Sequence, residues 1–239
     1  MNTERNQIDA ELDRLLGKSA PVVPSPLERR ITEQMQRNLR PVQPLRSTAA
    51  LTSGVMLVFL ALGAAFAVWM HPLGLKTMTK VQLSVATAIL LASALCSALS
   101  LAWQMRPGSL RSFPSWVPLA IPITAFVAAT VLLFPMERSE AFVTEGSHCL
   151  IAGLAIAVLS IAAFWPIVRG GAISRVKLWG TTLGVLAGLT GASALQYSCE
   201  LQNATHLAVW HGGILLVSIG IGTLGGYTWQ ATRAGIPRI

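Results

Sequence analysis

The chain has 239 residues, is 53% hydrophobic and only 12% charged, and has a mean hydropathy of +0.58. Soluble domains carry about 25% charged residues, so this composition excludes one, and only residues 1–46 form a polar stretch long enough to lie outside a membrane. The net charge of +8 comes from scattered Lys and Arg without interleaved stacking aromatics, a pattern of membrane orientation and anionic-lipid contact that argues against nucleic-acid binding.

Residues 1–46 contain Asp9, Glu11, Asp13, Glu28 and Glu33, so they do not read as a signal peptide. Ile8, Leu12, Leu15 and Leu16 follow helical spacing over residues 1–18, with Asp9, Glu11, Asp13 and Arg14 on other faces. A helix this short is marginal alone in water, which predicts that it folds against a partner or the membrane surface. Pro21-Val22-Val23-Pro24 is a semi-rigid linker. Ser25, Pro26 and Glu28 then supply an N-cap, a first-turn proline and a capping box. Leu27, Ile31, Met35 and Leu39 recur every four residues until Pro41 ends the helix. Two readings of this tail stay open, a segment lying on anionic lipid and a pair of binding helices on a leash.

Six spans are predicted: Ala49–Met70, Val81–Trp103, Trp116–Phe134, Leu150–Val168, Leu178–Tyr197 and His206–Trp229. Six of the tryptophans lie near span ends, where an interfacial aromatic belt belongs. If the N-terminus is cytoplasmic, all but three of the 18 Lys and Arg fall on the cytoplasmic side; the three are Lys76, Lys80 and Arg138. That bias predicts both termini inside. Gly180, Gly184 and Gly188 share one face of the fifth span, and Ser218, Gly222 and Gly226 share one face of the sixth. Small residues at this spacing predict a close helix pair. The expected organisation is a cytoplasmic segment 1–46, a transmembrane domain 47–233 and a cytoplasmic tail 234–239.

No predicted span holds Asp, Glu, Lys or Arg, which argues against an ion-coupled pump. No phosphate-binding loop, Ser-His-Asp set or helical His/Glu metal motif is present. The chain therefore reads as neither an enzyme nor a cofactor binder. Cys96 reads as a packing residue and His211 as a helix-to-helix hydrogen bonder. The topology puts Cys149 and Cys199 at the outer interface. They fit a static disulfide, a reversible thiol switch, or a soft-metal site formed by His148, Cys149, Cys199 and His206. The spacing of those four is not a recognised zinc motif.

Gly146-Ser147-His148-Cys149-Leu150 opens the fourth span, Leu195-Gln196-Tyr197-Ser198-Cys199-Glu200 closes the fifth, and Thr205-His206-Leu207-Ala208-Val209-Trp210-His211-Gly212-Gly213 opens the sixth. In this order the sequence resembles the NrsF-like family of six-span bacterial anti-sigma factors. His148 is an extra residue in the Gly-Ser-Cys start, and His211 stands where an aromatic residue is usual. The resemblance implies an all-α polytopic protein of the inner membrane, a negative regulator of an extracytoplasmic-function sigma factor. It implies a cytoplasmic N-terminus that holds the sigma factor and two periplasmic sensing thiols, carried over here as Cys149 and Cys199. Sequestration would bury Leu12, Leu15, Leu16, Leu27, Ile31 and Met35 in the partner. The alternatives are a thiol-dependent membrane oxidoreductase or carrier, and a structural membrane subunit.

Overall fold

A computed structural model describes residues 26, 30–34, 47–106, 117–137, 142–170, 173 and 175–234, apart from the side chains of 118, 119 and 232–234. The chain divides into a unit Met1–Pro44 and a unit Leu45–Ile239. In the first, the described residues are helical and exposed.

The second unit is all-helical among its described residues. Its helices are α1 (Thr48–Trp69), α2 (Gly74–Thr77), α3 (Lys80–Gln104), α4 (Val117–Leu133), α5 (Phe142–Val168), α6 (Val176–Ser198), α7 (Ala204–His206) and α8 (Gly212–Ala234). A π-turn, Leu207–His211, joins α7 to α8. Five helices are long and apolar enough to cross a membrane: α1, α3, α5, α6 and the continuous Ala204–Ala231. The expected third span is α4, an apolar helix of 17 residues with Pro122 inside it. At about 1.5 Å per residue it falls short of a hydrocarbon core of about 30 Å.

Helix starts follow local chemistry. Ser47 caps α1 by accepting from the Ala50 N–H at 3.1 Å. Thr79 and Gln82 form a reciprocal capping box at the start of α3. The predicted boundaries hold within two residues for α1, α3 and α6. In contrast, α5 begins at Phe142 rather than Leu150, so Cys149 lies about two turns inside it.

The bundle is organised around α6. Of its most apolar 18-residue window, 94% is buried, against 33–44% in the other long helices, and it is the least apolar of the five. A helix surrounded by other helices need not be hydrophobic toward lipid, but its polar groups must be satisfied inside the protein. The hydroxyls of Thr182, Thr190 and Ser198 donate to carbonyls four residues back on their own helix. Neighbouring helices supply further polar contacts. Thr181 meets Thr223 of α8 at 2.9 Å, Gln104 of α3 donates to Thr182 at 2.9 Å, and Thr87 of α3 meets the Tyr197 hydroxyl at 3.0 Å.

The glycine faces meet as the spacing predicts. A Cβ on Gly180 would collide with the Gly222 carbonyl oxygen, and one on Gly184 with the Ser218 carbonyl oxygen. A Cβ on Gly226 would come within 2.6 Å of the Val176 carbonyl oxygen. On the other side of α6, a Cβ on Gly191 would meet the Gly153 carbonyl of α5. Backbone therefore lies on backbone at both seams. The tryptophans depart from a simple belt. Trp165, Trp179 and Trp229 pack together with centroids 4.5–6.0 Å apart, and Trp179 is buried. Trp69 and Trp103 are exposed, as an interfacial position requires.

Gly184→Leu should destabilise the bundle by at least the 1–3 kcal/mol or so of core overpacking, because backbone cannot move aside like a side chain. Gly220 has open space around it, so Gly220→Leu should leave thermal stability in detergent close to wild type. Equal melting temperatures for the two variants would contradict the α6–α8 seam.

Candidate functional site

The short connection between α6 and α7 is fixed by its own polar groups. Cys199 caps the C-terminus of α6, its N–H donating to the Leu195 carbonyl at 2.8 Å. The Gln202 side-chain amide donates to the Cys199 carbonyl at 2.7 Å and the Gln196 carbonyl at 3.1 Å, and its oxygen accepts from the Gln196 amide at 2.9 Å. Asn203 caps the next helix by accepting from the His206 N–H at 2.8 Å. The Ala204 N–H donates to the Pro135 carbonyl just beyond α4. Beside the turn, the buried residues Met78, Phe134, Ala204 and Leu207 form a small apolar cluster.

This scaffold brings Cys199 to Cys149. Both are free thiols and half-buried, with their sulfurs 3.8 Å apart. The Cys199 Sγ lies 3.5 Å from His206 Nε2. The His206 ring meets the His211 ring edge-on, with centroids 5.5 Å apart and planes at 74°. One ligand atom each from Cys149, Cys199, His206 and His211 lies within 4.8 Å of all the others.

The histidine set differs from the expected one. His148 points elsewhere: it is exposed, and its Nδ1 bonds the Thr144 carbonyl oxygen at 2.8 Å. His211 takes the fourth place. Both His211 ring nitrogens are buried without a hydrogen bond of ordinary geometry, and the polar group they face is the Cys199 thiol. Helical periodicity conceals this placement. Residues five apart lie about 140° apart around an α-helix at 3.6 residues per turn. In the π-turn the Gly212 N–H donates back to the Leu207 carbonyl, five residues earlier, and this wider turn brings positions five apart onto one side. The sequence carries no signal of the π-turn beyond the Gly212-Gly213 pair that follows it.

Trp210 walls the site. Its indole lies over Gly146, where a Cβ would overlap it, and it packs on Phe142 at 5.4 Å. Cys96 sits apart on α3, beside an apolar groove also lined by Leu99, Trp103 and Val117. Of the residues expected to hold a sigma factor, Ile31 is helical and exposed, whereas Leu12, Leu15, Leu16, Leu27 and Met35 lie outside the described residues.

The hydrogen bond to Cys149 pushes the Cys199 thiol up from its ordinary range, burial adds to this, and His206 opposes it. Cys199 is therefore held mainly as a thiol at neutral pH. The pair can be oxidised to a disulfide or can bind a soft cation.

A polytopic α-helical protein with a thiol–imidazole cluster at the end of its central helix is the class these features define. The family model for NrsF, negative regulator of sigma F, matches residues 35–229, and the chain belongs to this anti-sigma factor family. No curated protein and no solved structure matches the chain.

A mild oxidant should join Cys149 to Cys199, making both resistant to alkylation, while Cys96 stays reactive in denaturant. Thiolate is the attacking form, and the Cys199 pKa is raised. Crosslinking should therefore accelerate as pH rises and thiolate forms. Unchanged alkylation of both thiols after oxidation would exclude the pairing.

Proposed function

We infer that the chain is an inner-membrane anti-sigma factor that sequesters an extracytoplasmic-function sigma factor through residues 1–46 and releases it on a periplasmic thiol signal. The family assignment supports the regulatory role. The observation that carries the input is the 3.8 Å thiol pair, because it links α5 to the residue that caps the end of the central helix. The positive-inside bias supports six spans with both termini cytoplasmic, α4 included. In that topology the thiols face the periplasm and the tail faces the sigma factor.

The two apolar stripes of the tail are the sigma-binding surface in this reading. Leu12, Leu15 and Leu16 form one, and Leu27, Ile31 and Met35 the other. The exposure of Ile31 leaves it available to a partner. Sensing passes through Cys149 and Cys199, and their replacement by Ser removes induction by a thiol oxidant.

Full-length protein should co-purify with its sigma factor from detergent. Leu12→Asp or Ile31→Asp should abolish the complex, since an unpaired charge in a dry contact costs several kcal/mol. Wild-type recovery with both variants would show that the stripes are not the contact surface.

Reporter fusions test the topology separately. Fusions after Arg46 and Lys177 should report cytoplasm, and one after Glu200 should report periplasm. A periplasmic signal at Lys177 would overturn the map.

A further inference from the structure

We propose that Cys149, Cys199, His206 and His211 form a closed tetrahedral site for a soft divalent cation of the zinc type, and that the π-turn exists in this chain to supply its fourth ligand. The proposal rests on the reading above only in taking this cluster as the input site; metal capture itself needs no sigma factor.

The first support is metric. With bond lengths of about 2.3 Å to sulfur and about 2.0–2.1 Å to nitrogen, a tetrahedral ion sets its sulfurs about 3.8 Å apart and each sulfur about 3.5 Å from a nitrogen. Two edges of the cluster measure 3.8 Å for Cys149 Sγ to Cys199 Sγ and 3.5 Å for Cys199 Sγ to His206 Nε2. The remaining ligand atoms are also within 4.8 Å.

The second support is His211 itself. Its ring is fully buried, neither nitrogen makes a hydrogen bond of ordinary geometry, and it lies with the ligand atoms of the other three, facing the Cys199 thiol. A buried polar group without a good partner is unfavourable. A metal bond satisfies one of its nitrogens. The π-turn is the structural means, since five-residue spacing on an α-helix would carry His211 away from His206.

Charge supplies the third support. A divalent ion displaces both thiol protons to solvent, and the imidazoles bind neutral. Two thiolates then balance the two positive charges, so no net charge is buried, and burying one would be costly. The half-buried thiols offer the entry side, and the buried imidazoles close the site behind the ion. Two thiolates and two imidazoles suit zinc-type ions and exclude magnesium and calcium, which require oxygen ligands.

Cobalt(II) and zinc(II) alone are the probes, titrated into the reduced full-length chain in detergent. One equivalent of cobalt should give the strong visible bands of a tetrahedral ion and a thiolate charge-transfer band, and zinc should bleach both. His211→Ala should weaken zinc binding roughly 100-fold, at or beyond the upper end of the loss from removing a mere outer-shell partner. Cys149→Ser, at a half-exposed position, should do the same and guards against a folding defect in the first variant. His148→Ala should bind as wild type. Absence of binding, octahedral cobalt spectra, or undiminished affinity in folded His211→Ala protein would each overturn the site. A chain that binds zinc yet retains no sigma factor would keep this site and remove the regulatory reading; the converse result would do the opposite.

Discussion

The close approach of α6 to its neighbours is the constraint on which the rest depends. In lipid, apolar side chains gain little by leaving one hydrocarbon environment for another, so helices associate through tight packing and internal hydrogen bonds. Gly180, Gly184 and Gly222 let two backbones touch where any side chain would hold them apart. The same device recurs at Gly153 and Gly191, which brings α5 against the opposite side of α6. The thiol contact follows from that second seam. Cys149 is one turn before Gly153 on the same face of α5, so the helix that touches α6 at Gly153 also delivers its sulfur to Cys199.

A central helix surrounded by protein is freed from the need to be apolar. Three threonines, two serines and a glutamine of α6 are buried, and the least apolar of the five long helices is the most enclosed. The outer helices show the reverse. Leu57, Val68, Leu132, Ile151 and Leu224 are among the most exposed residues, and their exposure matches contact with lipid tails rather than water. What would be a large liability on a soluble protein is the ordinary surface of a membrane bundle.

The sequence made the helical class, the α6–α8 glycine faces and the Cys149–Cys199 encounter legible, because each leaves a periodic or positional trace. Four-residue spacing of Gly and Ser is such a trace, and so is the placement of two cysteines at the same predicted membrane face. The missing pieces arise from departures from regular helix. An earlier start of α5 turned His148 outward, onto the exposed helix face it shares with Thr144 and Ile151. The π-turn brought in His211, and α-helical periodicity cannot reveal a turn that breaks it. Trp69 and Trp103 lie exposed at helix ends as expected and Trp116 is outside the described residues, yet periodicity along single helices does not show that Trp165, Trp179 and Trp229 would meet.

Oxidation and metal capture at this cluster act differently on the same seam. A disulfide must bring sulfurs now 3.8 Å apart to about 2.05 Å, which pulls the two helix ends together. A tetrahedral ion keeps them near their present separation and so selects the arrangement already formed. The Gly153–Gly191 contact is the natural pivot for the first case, because backbone meets backbone there. Four residues separate it from Cys149 and twelve from Trp165, about 6 Å and about 18 Å along a rigid helix. Rotation about that pivot therefore magnifies a displacement at the thiols about threefold at the tryptophan cluster, in the opposite direction. Pro166 follows Trp165 within α5, and its missing N–H and its clash with the Ala162 carbonyl loosen the last turn of this lever. A signal that moves the sulfurs thus shifts the far end of α5, where it packs on Trp179 and Trp229, and one that pins them leaves it in place.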